Sequence, residues 1–173
     1  MPSLVVTLIG PDKPGLVGAV SDVVRRHEGN WLESRMSHLA GQFAGIVLVE
    51  VTESNSASLI AALEGLSNQG LKVVAELDSE TAGSESSGKL WHLNVVGNDR
   101  PGIVREVTQV LASHDVNVEE LITECGEAPV SGGTIFRATA KVRIPEGMNV
   151  ELLQDELERI ATDLMIDLTS DGE

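Results

Sequence analysis

One phrase occurs twice in this 173-residue chain, and its repetition fixes the domain plan. Gly10-Pro11-Asp12-Lys13-Pro14-Gly15-Leu16-Val17 returns as Gly97-Asn98-Asp99-Arg100-Pro101-Gly102-Ile103-Val104, 87 residues later. The register persists beyond the phrase: Val20 matches Val107, Val23 matches Val110, His27 matches His114, Asn30 matches Asn117 and Glu33 matches Glu120. An echo over a whole strand–loop–helix–strand stretch marks two copies of one domain. The offset exceeds the period of about 20–50 residues that solenoid repeats show. The expected domains are 1–79 and 89–173, joined over 80–88 by a stretch rich in Ser and Gly. Each copy is small for a self-sufficient core, so the halves are expected to pack on each other or on a second chain.

Within a copy the hydrophobic period alternates between that of strands and that of helices. Leu4 to Ile9 is a short apolar, β-branched run closed by Gly10-Pro11, the pattern of a buried strand. Pro14-Gly15 opens a helix, since proline suits the first helical position. Leu16, Val17, Val20, Val23, Val24 and His27 recur at three- and four-residue steps, and Gly29 is placed as a left-handed helix cap. Trp31–Leu39 and a strand carrying Phe43, Gly45, Val47, Val49 and Val51 on one face form a hairpin through Ala40-Gly41-Gln42. Leu59, Ile60, Leu63 and Leu66 mark a second helix, and 71–77 a last strand. The second copy repeats the order: strand 90–96, helix 103–111, hairpin 116–124 with 134–144, helix 153–161 and strand 164–168. This β-α-β-β-α-β order with short links predicts an α+β, ferredoxin-like fold: a four-stranded antiparallel sheet with both helices on one face. Pairing Phe43 with Phe136 raises the offset to 93, so the second hairpin has the longer loop, 125–133, either a contact surface or a mobile connector.

Charge and cysteine usage narrow the function. The net charge is −15, distributed as −6 over residues 1–86 and −9 over 87–173. Such a field repels a phosphate backbone or an anionic membrane, so neither direct nucleic-acid binding nor membrane binding is expected. Cys125 is the lone cysteine, which excludes an intrachain disulfide and a CxxC metal site. Met1-Pro2-Ser3 runs straight into a strand-like segment and no apolar run approaches a membrane span, so a cytoplasmic protein without a signal peptide is expected. No nucleophile-elbow, Walker or zinc-protease pattern appears; the chain reads as non-enzymatic, with no catalytic residue, metal or cofactor.

The repeated unit, with Gly-x-Asp-[Lys/Arg]-Pro-Gly at its first loop and Asn at the start of the next strand, resembles the ACT domain, a module that senses small molecules, most often amino acids. Two such units over about residues 3–169, with little else, resemble the glycine cleavage system transcriptional repressor family. The match is best through Gly10–Val17 and Asn30-Trp-Leu-Glu-Ser-Arg35. The resemblance implies a homo-oligomeric regulator without a DNA-binding domain of its own. It would act through a DNA-binding transcriptional activator, with a small amino acid of the glycine or serine class as effector. In ACT proteins the ligand usually sits where the first loop of one unit meets the second strand of its neighbour.

Chemistry then picks the candidate residues. A helix start presents backbone N–H groups without internal partners at the positive end of the dipole, where a carboxylate fits. Pro14, Gly15 and Leu16, with Pro101, Gly102 and Ile103, form those starts, and the absent Cβ of each glycine lets a ligand approach. Asp12 and Asp99 suit an α-ammonium, and Asn30 and Asn117 can donate and accept. A purely structural reading stands beside this one. The aspartates could accept hydrogen bonds from the helix start, the glycines could permit tight helix–strand packing, and the asparagines could hold left-handed geometry after a helix. A ligand-free protein–protein adaptor is the competing function. His27 and His114 read as helix-end residues, His38 and His92 as lone strand histidines, and Trp31 and Trp91 as core or interface.

Overall fold

A computed structural model of the chain describes residues 2–78, 87–130 and 132–172. The expected linker over 80–88 falls outside the described residues except at 87 and 88. The chain divides into two compact units, Met1–Gly83 and Ser84–Glu173.

The first unit runs β1 (Ser3–Pro11), α1 (Leu16–Arg26), β2 (Asn30–Leu39), β3 (Gln42–Glu50), α2 (Glu53–Glu64), a 3₁₀ turn (Gly65–Gln69) and β4 (Lys72–Leu77). Its antiparallel sheet has the order β2-β3-β1-β4. The second runs β5 (Lys89–Asn98), α3 (Ile103–Ser113), β6 (Asn117–Glu127), β7 (Thr134–Ile144), α4 (Val150–Ile160) and β8 (Leu164–Ser170), in the order β6-β7-β5-β8. Both are the ferredoxin-like α+β arrangement that the hydrophobic periods predict.

The period-2 alternation decides what each sheet buries. In β1, Leu4, Val6 and Leu8 lie under the helices, while Val5 and Ile9 face outward. The apolar run of β1 is thus buried on one face. Val20, Val23 and Val24 of α1 and Leu59 and Leu63 of α2 close the core of the first unit; Val107, Val110, Leu111, Leu153 and Leu157 do so in the second. Trp31 and Trp91 pack, half-buried, against their own unit's core. The open faces differ. The first presents Val5, Ile9, Ile46 and Val74; the second presents Ile122 and Met165 beside Asn94, Thr139 and the cross-strand pairs Lys141–Glu120 and Arg137–Glu124.

Two local expectations are corrected. The left-handed residue after α1 is Glu28 (φ 57), not Gly29, and in the second unit it is Asp115 (φ 54). Both helices end in a Schellman motif. Glu28 N–H donates to the Arg25 carbonyl and Gly29 N–H to that of Val24; Asp115 and Val116 repeat the bonds to Ala112 and Leu111. Gly29 is small because a Cβ there would meet Val24 Cγ1 at 3.0 Å and Val49 Cγ1 at 3.2 Å. The second correction concerns the long hairpin. Register pairs His38 with Phe43 and Cys125 with Phe136, as the shifted offset requires. Gly126 and Glu127 still pair with Ile135 and Thr134, so the loop itself spans only 128–133.

Among the described residues no helix is long and apolar enough to cross a membrane, and no three or more His, Cys, Asp or Glu side chains are grouped to hold a metal ion.

Candidate functional site

The repeated phrase builds the same turn twice. Gly15 has φ 91 and ψ −2, and Gly102 has φ 91 and ψ −1. This is the third-residue geometry of a type II turn, which needs glycine and accepts proline just before it. A left-handed glycine cannot be helical, so α1 begins at Leu16 and α3 at Ile103. Pro14 and Pro101 therefore precede the helices rather than opening them. The packing explanation for the glycines does not hold. A Cβ on Gly15 would meet nothing within 4 Å, and one on Gly102 only Glu106 Oε1 at 3.8 Å. The backbone demands glycine and leaves open space above it.

Beside that space lie helix-start donors without an intrahelical partner. The first bonds within the helices run from Ala19 N–H to Gly15 and from Glu106 N–H to Gly102. The N–H groups of Leu16, Val17 and Gly18, and of Ile103, Val104 and Arg105, precede them, and no side chain caps either helix. The Leu16 and Ile103 side chains are buried in their cores, so only their backbone can serve a ligand.

Asp12 and Asp99 do not cap the helices. Each is pinned through its backbone N–H to the far end of the hairpin, Gly41 and Thr134 respectively. Their side chains reach one repeat position on the second strand. Asp12 Oδ2 lies 3.3 Å from His38 Nδ1. Asp99 faces Cys125, the counterpart of His38, and accepts its hydrogen bond. Partial desolvation, then the Asp99 charge and hydrogen bond, push the thiol's pKa up, so Cys125 is a neutral donor rather than a nucleophile. His38 therefore has a carboxylate partner, and so has His92, 3.2 Å from Asp171. His27 and His114 are helix C-caps, as expected; they bind Ser58 and Glu156 and so tie the two helices of each unit.

Asn30 and Asn117 stand apart from the turns. Asn30 pairs with Glu50, across from Ser3, whereas Asp12 follows the Pro11–Gln42 rung at the opposite end of the sheet. Eight rungs at about 3.4 Å separate them by roughly 27 Å, beyond the span of one amino acid. Both asparagines are extended strand residues, which removes the left-handed reading.

The surroundings of the two turns differ. The first borders a hollow of about 240 Å³ lined by Asp12, Lys13, Gly15, Leu16 and Phe43; the second one of about 530 Å³ lined by Asp99, Arg100, Gly102, Arg105 and Phe136. Lys13 donates to the Gln69 carbonyl at 3.0 Å. Its counterpart Arg100 grips two carboxylates, Glu106 Oε2 at 2.7 Å and Asp163 Oδ2 at 2.6 Å. Hydrogen bonds to Asp163 and then Glu106 raise the guanidinium's pKa further, and its bonds hold both carboxyls below their usual range. The sequence gives no sign of this network, because Asp163 approaches Arg100 only through the fold.

Both halves match models of the ACT domain, over residues 3–76 and 91–160. The glycine cleavage system transcriptional repressor of Escherichia coli (strain K12) is 22% identical over 163 residues, covering 93% of this chain and 85% of the relative. A solved structure of an unknown protein from Galdieria sulphuraria superposes with a TM-score of 0.87 at 32% identity, over 99% of each chain. Another, provisionally described as a glycine cleavage system transcriptional repressor, superposes with a TM-score of 0.74 at 22% identity, over 99% of this chain and 98% of that one.

Proposed function

The chain belongs to the ACT-domain family, one domain in each half, and from that premise we propose that it senses a small amino acid and represses genes through a protein partner. It is a regulatory ACT-domain protein related to the glycine cleavage system repressor. The observation that carries the amino-acid-sensing reading is the duplicated turn. Each copy presents unpaired helix N–H groups above an open glycine, with a carboxylate and a cation at its rim. An α-carboxylate meets the N–H groups, and Lys13 or Arg105 supplements them; the α-ammonium meets Asp12 or Asp99. Copy one, with His38 beside Asp12 and Phe43 closing the hollow, suits glycine or serine. Asn30 or Asn117 would contribute only from a neighbouring unit.

Calorimetry of wild type, Asp12→Ala and Asp99→Ala against glycine and serine tests the reading. Loss of an ammonium partner is expected to weaken binding about 5- to 150-fold, or ~1–3 kcal/mol. If no amino acid binds the wild type, the adaptor function replaces it. With a net charge of −15, the route to DNA runs through a basic, DNA-binding activator. Gel shifts at low salt should show no complex with the chain alone and a changed complex once activator is added. A specific shift by the chain alone contradicts this route.

A further inference from the structure

We infer that copy two reads the side chain of its effector in an apolar crevice beside the turn, and so selects a short aliphatic amino acid where copy one does not. The inference rests on the amino-acid-binding reading above. The crevice lies between α3 and the strands β5 to β7, with a cavity volume of about 20 Å³. Val118, Ala138, Ala140 and Phe136 form its floor. Thr108 is the one polar side chain on its wall, and its hydroxyl is spent on the Val104 carbonyl at 2.7 Å, leaving a methyl inward. A void of that size has room for about one methyl-sized group, and its apolar walls offer a water no partner.

Two observations link the void to the turn. Val104 and Leu121 at its mouth are 41% and 44% exposed, so it opens to solvent. Ile103, Val104, Thr108 and Phe136 line both the crevice and the hollow that holds Asp99, Gly102 and Arg105. A zwitterion bound at the turn can thus project its side chain into the crevice. In copy one the repeat puts Trp31 and Val47 where copy two has Val118 and Ala140 on the floor. Trp31 and Met36 pack against that unit's core, and Met36 lies over Gly45, the counterpart of Ala138. Trp31 and Val47 narrow the floor of the matching space, while Val6, Ser21, Val24 and Ser34 stand where the second copy has Leu93, Thr108, Leu111 and Leu121.

Each methylene moved from water into such a wall is worth about fourfold in affinity. Calorimetry of the full chain with glycine, serine, alanine and valine, with the Ala138 and Ala140 methyl signals followed by NMR, gives the test. At copy two, alanine should bind about fourfold more tightly than glycine and shift both methyls, whereas valine, larger than the void, should gain nothing over alanine. Ala140→Val installs the residue of copy one and should remove that preference, leaving copy one unchanged. Val118→Trp installs the other larger floor residue of copy one and should do likewise, so the test survives failure of either variant to fold. If glycine or serine binds copy two as tightly as alanine, or if folded variants keep the preference for alanine, this inference fails alone. If no amino acid binds at either turn, it falls together with the reading it rests on.

Discussion

The two copies share a backbone turn to within a degree and differ in almost everything that surrounds it. Copy one has a lysine on a backbone carbonyl, a histidine beside its aspartate, and Trp31 and Met36 packed under the second strand. Copy two has a guanidinium locked between two carboxylates, a neutral thiol beside its aspartate, and an apolar crevice. On the proposed effector reading, the left-handed glycine and the helix-start N–H groups are what a carboxylate needs, and the side chains around the turn change what else is recognised.

The largest expected effect comes from exchanging the small residues under the second strand. A Cβ on Gly45 would meet the Arg35 carbonyl oxygen at 2.7 Å and Met36 Cα at 3.0 Å, both backbone. Gly45→Ala should destabilise the first unit by about 2–3 kcal/mol through overpacking. The mirror change, Ala138→Gly, should cost the second unit about 1–1.5 kcal/mol, from backbone entropy and the lost packing of one half-buried methyl. Residue-resolved hydrogen exchange on the full chain reads each unit separately. Equal costs would break the claim that the two strands pack differently.

The next contrast is electrostatic. Glu106 and Asp163 have folded pKa values below their unfolded ones, so their contribution to stability is present above the ordinary carboxylate range. It is lost as pH falls through the depressed folded values. The second unit should therefore lose exchange protection around α3 and β8 on acidification, and Arg100→Ala should flatten that dependence. Lys13→Ala in the first unit should leave the acid limb unchanged. The three groups are exposed at the surface, so salt should weaken the effect.

Helix ends supply the smallest expected change. Glu28→Gly and Asp115→Gly relieve a left-handed residue and should each raise the melting free energy by at most about 1 kcal/mol. The gain should be smaller at Glu28, whose carboxylate accepts a hydrogen bond from Asn55 Nδ2 at 3.1 Å. A loss in both variants would show that the Schellman geometry is held by other contacts.

These contrasts also show what was legible in the sequence. Fold and element order were, because alternation and helical spacing repeat at a fixed offset, and Phe43 with Phe136 even located the longer hairpin. Glycine rules misled at Gly29, where size rather than a positive φ explains the residue. The turn glycines and aspartates were visible as a phrase, but the partner of each aspartate was not. His38 and Cys125 share a position and not a chemistry, so no motif joins them. The asparagines were chosen as donor and acceptor at the start of the second strand, yet antiparallel register carries them to the other end of the sheet from their own turn. The crevice was hidden because its making is spread over Val118, Ala138 and Ala140, each unremarkable alone.

The central claim is that the duplicated turn is an effector site. Titration of the full, isotope-labelled chain with glycine or serine, followed through its backbone amide NMR signals, addresses it directly. The account predicts saturable shifts at the amides of Leu16, Val17 and Gly18, abolished or strongly weakened in Asp12→Ala. Unmoved amides at both helix starts under every amino acid tried, or saturable shifts confined to other parts of the chain, would contradict it.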